Sequence, residues 1–125
     1  MKVLLDTNFI MTCVKQKIDF FDRLDVLGFA ILIPKQVIGE LEKVYGNKNK
    51  KLKNRDLAEI SLKILNANKE RFVCLDLGKK HVDKLIVKYA NEHPRLVVAT
   101  LDSELKKKLK NSKMVIRDMR KLVVV

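Results

Sequence analysis

Short apolar runs alternate with amphipathic stretches along the whole chain. Five runs have the length and composition of buried parallel strands, and we predict strands at Lys2–Leu5, Phe29–Ile33, Phe72–Leu75, Leu96–Ala99 and Met114–Ile116. The stretches between them carry apolar residues at helical spacing. This alternation predicts an α/β fold, a three-layer α/β/α sandwich with a central parallel sheet of about five strands.

Local signals mark where the predicted helices begin and end. Asp6 or the residue after it can cap the first helix, and Gly28 ends the second. Pro34 stops the second strand and suits the first turn of the next helix. Asp102 or its neighbour caps a helix after the fourth strand. We expect Leu122–Val125 to form a sixth strand or an edge addition.

The chain is strongly basic, with 27 Lys and Arg against 15 Asp and Glu and a formal charge of +12. Because such a charge disfavours the compact state, a polyanionic partner is the first explanation, and nucleic acid comes before an anionic membrane surface. A Lys-rich or heat-adapted surface is the alternative. No apolar run approaches the ~20 residues that cross a bilayer, and nothing resembles a signal peptide. We expect a cytoplasmic protein with one domain over residues 1–125 and no membrane association.

Cys13 and Cys74 are the only cysteines. Two isolated cysteines do not make a disulfide framework or a zinc site. Cys74 lies in an apolar run and Cys13 on the first predicted helix. We therefore predict that both are small core residues.

Four acids carry the candidate chemistry. Asp6 follows the first strand and Asp102 follows the fourth, and sites in open α/β sheets form outside the carboxyl ends of strands. Glu40 and Asp83 lie on helices among apolar neighbours, where a carboxylate must be paired, metal-bound or at a cleft edge. Magnesium and manganese take such oxygen ligands, so we hypothesise one divalent-metal site. The alternatives are two helix caps and two surface acids paired with lysines.

Four segments resemble, in order, the motifs of PIN domains. They are an apolar strand followed by Asp-Thr-Asn, a Pro-led helix with Glu before Leu, a helix with Asp followed by Ile and Ala, and a strand ending in Ala-Thr-x-Asp: Val3–Asn8, Ile33–Leu41, Val82–Ala90 and Val97–Leu105. The fourth also resembles an archaeal-type branch related to small-subunit rRNA-processing nucleases, in which a Lys/Arg-rich helix follows. That branch usually has Asn where Leu101 stands, so the polar lining there is weaker than expected.

The resemblance implies a PIN-like sandwich and a ribonuclease active site that uses Mg²⁺ or Mn²⁺. It implies that the catalytic and metal-site acids are Asp6, Glu40, Asp83 and Asp102. By the same match, Thr7 occupies a polar position, Asn8 orients the carboxylates and Thr100 places a hydroxyl in the site. PIN domains serve as toxins with a cognate antitoxin or as rRNA-processing nucleases, and dimers are common among them. We therefore expect RNA, a small antitoxin or ribosomal precursor particle, and a second copy of the chain as partners.

The functional hypothesis is a metal-dependent endonuclease that hydrolyses RNA phosphodiester bonds, with Glu40 or Asp83 orienting the attacking water. Two basic segments would hold the RNA backbone: Lys48, Lys50, Lys51, Lys53, Arg55, Lys106, Lys107 and Lys108. For any single lysine, the alternative is a solvated face.

Two other functions compete with the nuclease hypothesis. One is a catalytically weak RNA-binding or ribosome-assembly factor that binds RNA without turnover. The other is a two-component receiver domain, which has the same length and five parallel strands. A receiver needs a phospho-accepting Asp at the end of a strand near mid-chain, where residues 47–51 offer neither a strand nor an acid.

Overall fold

A computed structural model describes residues 1–118 and 120–125, in which strands and helices alternate as the sequence predicts. A single 3₁₀ turn precedes the third strand. The elements follow the order β1 (Lys2–Leu5), α1 (Thr7–Lys15), α2 (Phe20–Val26), β2 (Ala30–Pro34), α3 (Lys35–Gly46), α4 (Leu52–Ala67), the 3₁₀ turn (Lys69–Arg71), β3 (Phe72–Leu75), α5 (Val82–Glu92), β4 (Val97–Ala99), α6 (Ser103–Lys108), β5 (Lys113–Arg117) and β6 (Lys121–Val124).

The six strands form one sheet in the order β3-β2-β1-β4-β5-β6. β1 to β5 are parallel, and β6 pairs antiparallel with β5 at the edge. The predicted α/β fold is confirmed, and the final segment is a sixth strand. The order also excludes a receiver domain, whose strands run 2-1-3-4-5.

The chain order reverses between β1 and β4. From β1 the chain moves outward to β2 and β3, and it then returns to the other side of β1 for β4 and β5. Leu5 at the end of β1 lies beside Ala99 at the end of β4. Such a switch point opens a crevice outside the carboxyl ends of the two strands. Asp6 and Asp102 follow those two ends.

Both faces of the sheet are covered by helices. Along β1, Val3 and Leu5 face the side covered by α1 to α4, and Leu4 faces the side covered by α5 and α6. Fully buried aromatic side chains from α1 and α2 fill the first side: Phe9, Phe20 and Phe21. Each fully buried side chain of this kind contributes about 1.5–3 kcal/mol to the free energy of unfolding. The packed layers fix the strand ends on which the candidate site stands.

The helix boundaries differ from the predictions by a residue or two. Pro34 is the last residue of β2 and precedes α3, so the helix starts one residue later than predicted. Gly28 ends α2 with a φ of 83°, which an L side chain rarely adopts. The basic stretch of residues 47–55 is a loop followed by the first turn of α4, which puts Lys53 and Arg55 on that helix. Within residues 1–118 and 120–125, no helix is both long and apolar enough to cross a membrane.

The prediction for the two cysteines is half right. Cys13 is buried on α1, but Cys74 on β3 is exposed, so its assignment to the core is wrong. β3 is an edge strand of the sheet, with β2 as its one hydrogen-bonded neighbour. Val73 beside it is 56% exposed for the same reason. An apolar run alone does not distinguish a central strand from an edge strand.

Candidate active site

Asp6 is the buried centre of the acidic crevice. Its backbone N–H donates to the carbonyl of Ala99 at 2.9 Å, which joins the ends of β1 and β4. One carboxylate oxygen, Oδ1, accepts from the Thr7 backbone N–H at 2.8 Å, and Oδ2 accepts from the Thr100 hydroxyl at 2.9 Å. Asp6 is 5% exposed and Thr100 is 0% exposed. Each oxygen keeps lone-pair capacity for a further partner.

Burial raises the pKa of Asp6 from 3.8 to about 6, despite the hydrogen bonds from Thr100 and Thr7 that lower it. The negative charges of Asp83 and then Glu40 raise the pKa of Asp6 further. These three acids therefore share one electrostatic environment. The ion pairs within the described residues are Arg71–Asp22 and Lys107–Glu104, and neither involves the crevice acids.

Thr7 links the first acid to the second. Its backbone N–H donates to Asp6, and its hydroxyl donates to Glu40 Oε1 at 2.5 Å. Glu40 is half-buried on α3, and this bond ties that helix to the start of α1. Asp83 is half-buried in the first turn of α5, where a negative charge interacts favourably with the helix dipole. α1, α3 and α5 thus each contribute to the crevice.

Gln36 is a positioning residue that is absent from the predicted site residues. It lies in the first turn of α3, and its Nε2 donates to Asp76 Oδ1 at 2.9 Å and to the Gly78 carbonyl at 2.8 Å. Its Oε1 accepts from the Leu77 backbone N–H at 3.1 Å. These bonds hold the loop that leads from β3 to α5. The signal was its place within the Pro-led motif, four residues before Glu40.

Asp102 lies in the loop after β4 and caps α6. Its Oδ1 accepts from the Glu104 and Leu105 backbone N–H groups at 2.9 and 3.2 Å. Its own N–H donates to the Thr100 hydroxyl oxygen at 3.2 Å. The helix-cap readings of Asp6 and Asp102 are thus both correct. A cap uses one carboxylate oxygen of Asp102, which leaves Oδ2 for another partner.

Asn8 connects α1 to the loop after β4. Its Oδ1 accepts from the Leu101 backbone N–H at 3.3 Å. This bond holds the backbone of the fourth motif in place. The Leu101 side chain takes no part in it and packs against the core on the side of α1 to α4.

The acids fit a hard divalent cation in their chemistry and their charge. All four offer carboxylate oxygens, the ligands that Mg²⁺ and Mn²⁺ prefer, and burial of uncompensated carboxylates is costly without a cation. In the described part of the chain, however, no three His, Cys, Asp or Glu side chains are arranged so as to hold a metal ion. Asp6, Asp83 and Glu40 are brought near one another but do not form a closed ligand cage.

The predicted RNA-binding residues lie in the α3–α4 loop, on α4 and at the end of α6. Lys48, Lys50 and Lys51 are exposed in the loop between α3 and α4. Arg55 on α4 is half-buried, and its Nε donates to the Tyr45 carbonyl at 3.4 Å, which joins α4 to α3. Lys106, Lys107 and Lys108 form the last turn of α6, where cations stabilise the helix end, and Lys107 lies 3.7 Å from Glu104.

Comparison with curated proteins finds a ribonuclease and an rRNA-processing protein that are similar to this chain. Ribonuclease VapC4 of Methanocaldococcus jannaschii is 32% identical over 111 residues, which cover 86% of this chain and 82% of that protein. The rRNA-processing protein fcf1 of Schizosaccharomyces pombe is 35% identical over 112 residues, which cover 86% of this chain. The chain spans about half the length of fcf1, 53%.

Solved structures share the fold. The PIN domain endonuclease Utp24 superposes with a TM-score of 0.78 at 30% identity, covering 98% of this chain and 90% of that one. A chain in the crystal structure of VapBC2 from Rickettsia felis, bound to a DNA fragment from their promoter, superposes with a TM-score of 0.60 at 18% identity, covering 90% and 98%. This second likeness concerns the fold alone.

A family model described as a PIN like domain matches residues 3–121. That span includes all four motifs, the crevice between β1 and β4, and each of the four acids. With nearly the whole chain matched, we conclude that the protein belongs to the family of PIN-like domains.

Proposed function

We propose that the protein is a metal-dependent endonuclease that hydrolyses RNA phosphodiester bonds, with residues 1–125 forming one PIN-like nuclease domain. The observation that carries the proposal is the buried Asp6, which lies in the field of Asp83 and Glu40. No ion pair among the described residues neutralises this group. Buried negative charge without a protein counter-ion favours a bound cation. The resemblance to ribonuclease VapC4 and to the endonuclease Utp24 supports the same activity.

Asp6, Glu40, Asp83 and Asp102 are the residues that would hold Mg²⁺ or Mn²⁺. Magnesium is commonly held by one or two carboxylates together with waters and substrate phosphates, so a closed cage of three protein ligands is not required. When bound, the cation would supply Lewis-acid stabilisation of negative charge on the phosphodiester. The remaining acids would act through hydrogen bonds to waters.

The protein's own hydrogen bonds would set the orientation of these acids. Thr100 fixes one oxygen of Asp6, and Thr7 fixes one oxygen of Glu40. Either Glu40 or Asp83 would accept a hydrogen bond from the attacking water and orient it towards phosphorus. The exposed lysines of the α3–α4 loop and of α6 would bind the RNA backbone through its phosphates.

The test is cleavage of a labelled RNA in Mg²⁺ or Mn²⁺ by the wild type and by Asp6→Asn. We expect Asp6→Asn to reduce the cleavage rate by more than about 100-fold, since removing a ligand should cost at least as much as disturbing a group that orients one. Asp56→Asn, which changes an exposed acid of α4, is the control and should cleave like the wild type. Undiminished cleavage by a clean Asp6→Asn preparation would remove Asp6 from the mechanism.

A second readout separates metal binding from catalysis. A ligand that binds only the folded state raises the melting temperature. Mn²⁺ should therefore raise the Tm of the wild type and of Asp56→Asn, and it should raise the Tm of Asp6→Asn much less. Equal shifts in all three proteins would argue against a cation among the crevice acids.

The second candidate function is RNA binding with little or no turnover. Leu101 favours it, because an apolar residue stands where a polar one would line the site. This candidate predicts that wild type and Asp6→Asn bind RNA equally. It also predicts that the wild type cleaves RNA no faster than Asp6→Asn, which serves as the blank. Metal-dependent cleavage above that blank would exclude it.

Two biological settings fit the proposed activity, both in the cytoplasm. One is a toxin held by a small antitoxin, a role that PIN domains serve, and the other is rRNA processing on a precursor particle, which the likeness to the rRNA-processing protein fcf1 supports. Induced expression distinguishes them, because a toxin arrests growth while its Asp6→Asn form does not. A processing nuclease instead leaves extended rRNA precursors when it is depleted. We also propose a homodimer, which sedimentation would detect.

A further inference from the structure

A groove lies beside the acidic crevice, between α1 and α4. Its volume is about 350 Å³, within the range of small-ligand sites. The apolar side chains that line it are Met11, Val44 and Leu57. Met11 and Val44 are half-buried and pack against the core, so this part of the groove has a rigid backing.

Asn8 places the groove next to the candidate active site. It lines the groove, it lies two residues after Asp6 on the chain, and its Oδ1 accepts from the Leu101 backbone N–H. This bond uses one acceptor and leaves both hydrogens of the Asn8 amide nitrogen available. The groove therefore adjoins the loop after β4, in which Thr100 and Asp102 flank Leu101.

The polar lining of the groove is basic or neutral. Lys15, in the last turn of α1, and Lys50, in the α3–α4 loop, are exposed and line it, together with the neutral side chains of Thr12 and Asn54. Among the described residues, its lining includes no acid, and neither lysine is in an ion pair. The charge of the groove is complementary to a phosphate backbone.

We propose that this groove binds one nucleotide of single-stranded RNA next to the scissile bond, an inference that rests on the proposed function. The base lies against Met11, Val44 and Leu57, and the flanking phosphates contact Lys15 and Lys50. Asn8 and Asn54 also line the groove, and their side-chain amides form hydrogen bonds with the edge of the base. An apolar surface with a few polar groups at its rim is the setting in which proteins bind unstacked bases.

The groove selects a single strand over a duplex. Bases of an A-form helix are paired and stacked, and its deep major groove excludes side chains, so a base cannot reach an apolar surface without unpairing. A polypeptide segment could also occupy an apolar groove. Within the described part of the chain, however, the two lysines form no ion pair and no acid lines the groove, which favours a polyanion. If a polypeptide segment is the occupant instead, Lys50→Ala will weaken RNA binding no more than Lys63→Ala does in the test below.

The experiment measures RNA affinity in EDTA by fluorescence anisotropy, so that no cleavage occurs. The probes are a labelled oligouridylate and the same strand within a duplex. The variants are Lys50→Ala and Lys63→Ala, each of which removes one exposed lysine. Lys63 lies on α4 outside the groove lining and serves as the matched control. We expect the single strand to bind more tightly than the duplex. Lys50→Ala should weaken binding of the single strand severalfold. It should also reduce the slope of log K against log salt concentration by about 0.7 more than Lys63→Ala does.

An abasic strand of the same length tests the apolar surface without changing the protein. It should bind several times more weakly than oligouridylate, and Lys50→Ala should weaken both strands. Equal affinity for the abasic strand, equal effects of the two lysine variants, or tighter binding of the duplex would overturn the inference. Because RNA binding is measured without metal, its result is independent of whether the protein cleaves RNA. Loss of the proposed groove binding and loss of the proposed nuclease activity can therefore be distinguished.

Discussion

The Thr100 hydroxyl donates to Asp6 Oδ2 at 2.9 Å and joins two residues that are 94 positions apart in the chain. Both side chains are buried at the switch point between β1 and β4. The same hydroxyl oxygen accepts from the Asp102 backbone N–H at 3.2 Å. One threonine thus connects the first and the fourth motif of the PIN-like site.

Replacing this threonine should impair the site without unfolding it. Thr100→Val keeps the shape of the side chain but removes the donor to Asp6 and the acceptor for Asp102. We expect metal affinity and cleavage to fall by about 10- to 100-fold, because a group that orients a ligand has effects of this size. Thr100→Ser retains the hydroxyl and should keep most of the activity. Equal losses in the two variants would assign the effect to packing instead.

Asp6 should make the metal-free protein less stable as pH rises. Its pKa is about 6 in the folded protein and 3.8 in an ordinary setting, so between about pH 4 and pH 6 the unfolded chain alone loses this proton. Stability from this group is therefore greatest below pH 4 and is lost as pH rises through 6. At about 1.4 kcal/mol per pH unit, the loss is about 3 kcal/mol.

Asp6→Asn isolates this effect from the other acids. In EDTA, the free energy of unfolding of the variant relative to wild type should rise by about 2 kcal/mol between about pH 4.5 and pH 7. Denaturant titrations at the two pH values measure it, with Asp56→Asn as the exposed control. A constant difference between wild type and Asp6→Asn across this range would contradict the raised pKa.

Asn111 should matter for stability and not for the site. Its buried side-chain Nδ2 lies 3.1, 2.9 and 3.0 Å from the carbonyl oxygens of Ala90, His93 and Leu96, and its two hydrogens are shared among these acceptors. Asn111→Ala leaves these acceptors without their donor and should lower the free energy of unfolding by about 1–3 kcal/mol. Asn66→Ala, on the exposed side of α4, should change it by less than about 0.5 kcal/mol. Urea unfolding measures both, and comparable losses would refute the role of Asn111.

The two cysteines should differ in reactivity. Burial raises the pKa of Cys13 to about 12, whereas Cys74 is exposed on an edge strand. Because the thiolate is the reactive form, a disulfide reagent should modify one thiol rapidly in the native protein and the second only on unfolding. Cys74→Ser should abolish the rapid phase. Rapid modification that persists in Cys74→Ser would place Cys13 at the surface.

The sequence predicts well what depends on strand ends and on local signals. The predicted ranges of the five parallel strands agree with the structure to within one residue at each end, and Asp6 and Asp102 follow β1 and β4 as expected. These features depend on apolar runs, caps and breakers, which are local in the sequence. The four ordered motifs then identified the family, which the match over residues 3–121 confirms.

Features that depend on packing between distant elements were not predictable in this way. The Thr7–Glu40 bond, the contacts of Gln36 with the loop after β3, and the groove between α1 and α4 arise from the mutual placement of helices. The exposure of Cys74 depends on which strands lie at the edge, and an apolar run carries no information on strand order. The metal-ligand roles of the four acids remain predictions for the experiments above.

The pairing of β1 with β4 sets the moment at which the site can exist during synthesis. Asp6, Glu40 and Asp83 all precede β4, so they emerge from the ribosome before the strand that supplies Thr100 and the loop to Asp102. Until β4 pairs with β1, Asp6 lacks the Thr100 hydroxyl that orients it, and the β4 side of the crevice is missing. Long-range pairing of this kind is formed late in folding because loop closure must come first. A site built across this pair of strands therefore forms only after β4 has been synthesised and has paired with β1.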